Sequence, residues 1–161
     1  LDALRRLSAG AAWGAAATAA MSVVMVGARR AGLVLSTTEP KVITEAGLEV
    51  ADVGVSEQTT NVLASMAHVG YGSAMGAAFG LMQPRVPVPP VASGAIYGLG
   101  IALASYEGWV PAAGIMPSLR HQEPPRRWQL VLSHLVYGAV LGRLVARDAT
   151  VSSRDSRGWR H

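Results

Sequence analysis

The chain has no cysteine, one lysine and one phenylalanine among its 161 residues. Without cysteine there is no disulfide framework, no zinc site built on thiolates and no thiol nucleophile. Charge is scarce too, at 15% of residues against 50% hydrophobic, which excludes a disordered chain. There is no phosphate-cradling Gly-rich loop, no HExxH, no Ser-His-Asp order and no pair of carboxylates on one helical face, so no enzymatic activity is expected. The net charge of +4 comes from Arg in short blocks. Basic residues placed that way report membrane topology, and no nucleic-acid partner is expected.

What the chain does have is long stretches free of charge. Between Arg6 and Arg29 lie 22 uncharged residues, between Glu57 and Arg85 lie 27, and between Arg127 and Arg143 lie 15; from Val86 to Leu119 the sole charge is Glu107. About 20 residues of helix cross a hydrocarbon layer. The pattern predicts an all-α integral membrane four-helix bundle, with spans at 7–28, 61–82, 91–115 and 128–146. The last span lengthens if Arg143 snorkels to the interface. A soluble helix keeps a polar stripe for water, whereas Leu7–Ala28 carries no charged residue on any face. That first span is read as retained rather than cleaved, because it lacks the cleavage region of a secretory signal and matches a later span.

Residues 1–146 then form one transmembrane domain, followed by a polar, flexible tail over 147–161 in which Trp159 can dip into the interface. Residues 41–60 place Val42, Ile43, Ala46, Val50 and Val53 at helical spacing, which predicts an amphipathic segment on the membrane surface. Four spans put both termini on one side. With the turn at Gln83–Pro90, that side holds eight of the Lys and Arg residues and the other side six, so both termini are expected in the cytoplasm. Arg outnumbers Lys 13 to 1 and Ala, Gly and Val dominate, which points to a GC-rich bacterial genome.

The halves of the chain repeat. Gly10-Ala-Ala-Trp13-Gly14 returns 84 residues later as Gly94-Ala-Ile-Tyr97-Gly98, and Glu39-Pro40 returns at the same offset as Glu123-Pro124. His68-x-x-Tyr71-Gly72-x-x-x-Gly76 returns after only 66 residues as His134-x-x-Tyr137-Gly138-x-x-x-Gly142, leaving an 18-residue insertion in the first half. Two hairpins related by an axis along the membrane normal are expected. Small residues four apart, among them Gly72, Gly76, Gly94, Gly98, Gly138 and Gly142, predict helices whose backbones touch in the manner of a glycine zipper.

Polar residues inside lipid are the natural functional candidates. His68 and His134 fall about 10 Å below the non-cytoplasmic surface, counting roughly 1.5 Å per residue, and Glu107 reaches the same level from the third span. Three uses stay open for His68, Tyr71, His134, Tyr137 and Glu107. They can bond helix to helix; they can relay protons or cations in a small transporter; or His68 and His134 can ligate one haem in an electron carrier. No cofactor is required by the first, and no metal site is expected beyond the haem possibility. His121 and His161 lie in polar flanks and are expected to be solvated.

The stretches GAIYGLGIALASYEGWVPAAGIMP and SHLVYGAVLG, with the Pro-Pro-Arg-Arg turn, resemble a family of small, uncharacterised bacterial inner-membrane proteins, the YagU-like proteins and related domains of unknown function. The resemblance spans about Gly10 to Gly142. It implies multi-pass topology and supplies no site residues. The absence of a catalytic motif and the close-packing stripes lead to the expectation of an accessory or scaffold subunit beside larger membrane proteins, with the lipid bilayer and other membrane subunits as partners and a homo-oligomer as another possibility.

Overall fold

The computed structural model describes residues 2–34, 39–82 and 88–158. Among them every regular element is a helix: α1 (Asp2–Arg30), α2 (Glu39–Val50), α3 (Glu57–Met82), α4 (Pro90–Leu103), a π-helical segment (Ala104–Trp109), α5 (Val110–Ala112), a 3-10 turn (Leu119–His121) and α6 (Pro124–Gly158). Two stretches, Asp2–Arg30 and Pro124–Asp148, are long and apolar enough to cross a membrane.

The helix ends follow local chemistry. The Ser56 hydroxyl accepts the Thr59 amide at 3.2 Å and so caps α3. Pro90 and Pro124 each occupy the first position of a helix, where proline's missing N–H costs nothing. Gly32 closes α1 at φ 71°, with the Leu33 amide reaching back to the Ala28 carbonyl at 3.0 Å. That left-handed stop is one glycine adopts without strain. Asp52, at φ 54°, ends α2 in the same way.

Three expectations change. The amphipathic segment over 41–60 is not one helix: α2 stops at Val50, and Glu57–Thr60 already belong to α3. The third span is not one α-helix either. Pro111 has no N–H and its ring clashes with the carbonyl four residues back, so the ladder widens ahead of it. Val110 bonds to the Ser105 carbonyl five residues back, and Gly108 leaves helical geometry at φ −107°, ψ −109°. Finally, the backbone of α6 stays helical through Gly158 instead of giving way to a tail at 147. Trp159, Arg160 and His161, and residues 83–87 of the second turn with Arg85, lie outside the described residues.

Packing follows a four-sided plan. α1 lies along α3, α4 along α6, and α1 along α6, while α3 and α4 do not pack closely along their length. Side chains bridge that fourth side at one level: the Tyr97 hydroxyl donates to the Met75 carbonyl at 2.8 Å, and the Phe79 and Tyr97 rings meet at 5.1 Å. The core consists of two clusters. One gathers Ala17, Met21, Met25, Phe79, Ile101, Tyr137 and Leu141; the other gathers Ala102, Tyr106, Val110, Met116, Leu119 and Leu130, with Ile43 of α2 against it.

Candidate functional site

Within each pair the helices meet glycine to backbone. A methyl group added to Gly14 would strike the Gly72 carbonyl, and one added to Gly76 would strike the Gly10 carbonyl. In the second pair, Gly94 and Gly138 face each other's carbonyls and Gly98 faces that of His134. The pairs are alike in kind but not in register. Gly76 sits against Gly10 and Gly14, and Gly138 sits against their counterparts Gly94 and Gly98. Gly138 thus occupies the place of Gly76, although by motif it corresponds to Gly72. Gly142 likewise rests on Pro90 and Gly94 as Gly80 rests on Arg6 and Gly10. A stripe that repeats every four residues fits its neighbour again after sliding one turn, about 5.4 Å.

This slip separates the repeated polar residues. His134 stands where Gly72 stands in the first pair, so it does not share a level with His68 as twofold symmetry requires. Tyr137 is carried into the core, 3% exposed, while Tyr71 is 42% exposed. The Tyr137 hydroxyl donates to the Gly72 carbonyl at 2.6 Å. Trp13, the counterpart of Tyr97, packs against the first core cluster, and its buried Nε1 has no hydrogen-bond partner among the described residues.

On the open α3–α4 side lies a cavity of about 270 Å3. His68, Tyr71, His134 and Tyr137 all line it, together with Tyr106 and Trp109 from the π-helical segment. Three methionines, Met21, Met25 and Met75, form apolar wall, and Pro40, Ile43 and Thr44 of α2 lie over one end. No Asp, Glu, Lys or Arg is among the lining residues.

Glu107 does not join this group. The widened turn at 104–109 leaves Tyr106 facing inward and directs Glu107 to the loop that follows. There its carboxylate accepts the Arg120 amide at 3.0 Å and pairs with Arg120 Nε at 3.4 Å. His121 Nδ1 lies 2.8 Å from the Ser118 hydroxyl in the same loop.

His134 is nearly enclosed, at 6% exposure. Its Nδ1 lies 2.8 Å from the Leu130 carbonyl. A carbonyl only accepts, so Nδ1 carries the hydrogen and, in the neutral ring, Nε2 presents a bare lone pair. The ring meets Tyr106 edge to face at 5.6 Å. The cavity is smaller than the roughly 300–1,000 Å3 of sites that enclose a drug-sized molecule. A porphyrin between His68 and His134 would require the helices to part. Methionine walls, Ser105 and the role of α2 as a cover were not legible as a site; the clue available in sequence was the apolar face of α2 around Ile43.

Outside the bundle, Lys41 Nζ bonds Glu57 Oε1 at 2.9 Å and lies 3.8 Å from Glu45, tying α2 to the start of α3. The bond to Glu57 raises the Lys41 ammonium above its ordinary value, and the same bond lowers the Glu57 carboxyl. No protein family, curated protein or solved structure matches the chain.

Proposed function

We propose that this is a four-span bacterial inner-membrane protein, both termini cytoplasmic, that acts as an accessory or scaffold subunit beside larger membrane proteins. One observation carries the reading: large apolar side chains lie on the outer faces of the four long helical segments as well as in the core. The helices meet through glycine and backbone, while Val23 on α1, Met66 on α3, Ile96 on α4 and Leu132 on α6 are each more than half exposed. In water such a surface is a liability; in lipid it is ordinary, and close backbone approach supplies the cohesion. In the third span α4 is only 14 residues long because the π-helical segment interrupts it, and α3 carries His68 with several Gly and Ser residues among its apolar ones. The hydroxyls of the half-buried Tyr97 and the buried Tyr137 are spent on bonds between helices, which suits a structural part better than a carrier. A relay through Glu107 lacks support, since that carboxylate is held by Arg120.

Extraction in a mild detergent followed by native mass measurement tests the role. A complex containing larger membrane proteins is the expected result; a chain that always purifies alone and moves ions in liposomes overturns it. Reporter fusions at both ends test the topology, with cytoplasmic readout expected at each.

A further inference from the structure

The α3–α4 cavity has more polar capacity than the bundle uses. Tyr137 and Thr18 are committed to backbone carbonyls of Gly72 and Gly14. His134 is different: it is more than nine-tenths buried, its Nδ1 is engaged by Leu130, and its Nε2, on a residue that lines the cavity, is left as an acceptor with no donor among the described residues. A neutral acceptor inside a wall of methionine and aromatic side chains calls for a ligand hydroxyl, because burying it without a donor is costly. The absence of charged lining residues disfavours ionic ligands.

Size narrows the class. A cavity of about 150 Å3 accepts a benzene ring, and this one, at about 270 Å3, has room for one ring with a substituent. Two of its lining residues, Tyr71 on α3 and Trp109 at the end of the π-helical segment, are 42% and 45% exposed, so the cavity wall reaches the outer surface on two segments that do not pack along each other.

We propose that the cavity binds a neutral aromatic ring bearing a hydroxyl, of the phenol or quinol class, which enters from the lipid layer between α3 and α4 and donates its hydroxyl hydrogen to His134 Nε2. The oxidised, carbonyl-only form of such a ring cannot make that bond and is selected against. The sideways route rests on the membrane-spanning reading; the hydrogen bond does not.

The test uses the full chain in nanodiscs, with 4-propylphenol and its methyl ether 4-propylanisole as probes. Saturable binding of the phenol is expected, about tenfold tighter than the ether for the one bond lost, with an upfield 15N shift of His134 Nε2 in histidine-labelled protein. Equal affinity for the two probes, or an unmoved Nε2 signal, overturns the assigned contact; no saturable binding above empty nanodiscs overturns the site. His134→Asn retains a donor for the Leu130 carbonyl but, being shorter, places no acceptor at the Nε2 position, and should abolish the preference for phenol. Ala67→Phe, on the cavity wall, should abolish binding of both probes. Competition by 4-dodecylphenol is expected if the ring arrives from lipid, and its failure to compete overturns the sideways entry alone.

Discussion

The Tyr137 hydroxyl and the Gly72 carbonyl, 2.6 Å apart, connect α6 to α3 across the bundle, between helices that do not otherwise lie side by side. The contact exists because α6 is seated one turn away from the register that its motif shares with α3. Tyr71, the motif counterpart of Tyr137, is 42% exposed and makes no such bond among the described residues.

Tyr137→Phe removes this bond while keeping the ring. The Gly72 carbonyl belongs to a helix, so the loss is expected to be modest, about 1 kcal/mol. Unfolding titrations in mixed detergent measure it, and Tyr97→Phe should behave similarly through Met75.

Close approach at Gly14 leaves no room for a side chain. Gly14→Ala would drive a methyl into the Gly72 carbonyl, which is backbone and cannot rotate aside; a loss of about 1–3 kcal/mol is expected. Gly100 is the control. Nothing lies within 4 Å of its added carbon, and Gly100→Ala should stabilise by up to about 1 kcal/mol through helix propensity. The same unfolding assay compares them, and equal effects would contradict the packing described.

The Lys41–Glu57 link has a defined pH window. Glu57 is lowered from its ordinary 4.5, so its contribution is present above that value and is lost as pH falls through the lowered one. Lys41 is raised from its ordinary 10.5, so its contribution is present below that value and is lost as pH rises through the raised one. The link therefore holds from mildly acidic to alkaline solution. Glu57→Gln should speed trypsin cleavage after Lys41 across that window, and added salt should shrink the difference.

Glu107 holds the loop before α6. Glu107→Ala removes the acceptor of the Arg120 amide, and hydrogen exchange at that amide is expected to rise on the order of tenfold, as for loss of a charge-assisted bond. The His134 environment should remain unchanged, because Glu107 does not line the cavity.

Much of the helical layout is legible in the chain itself. Runs without charge mark where long helices go, since a charged residue is expensive on any face of such a helix. Proline and serine mark the starts of α3, α4 and α6, and Gly32 marks the end of α1. The break at Ala104–Trp109 had a visible cause in Pro111, yet the same residue is compatible with a kink, a bulge or a stop, and only neighbouring contacts select among them. The repeated His and Tyr residues were legible as polar groups inside apolar helices, but their shared motif suggested a shared level that the fold does not keep.

The sequence by itself determined where the long apolar helices run and that each carries a stripe of small residues, because charge-free length and four-residue spacing are properties of a single helix without reference to any partner. Only tertiary structure decided the register. A glycine stripe offers the same fit at every turn, and local patterning does not say which turn is used. Seating α6 one turn along puts Tyr137 in the core, leaves Tyr71 42% exposed and sets His134 against the cavity, so the register that local patterning leaves undetermined also shapes the cavity.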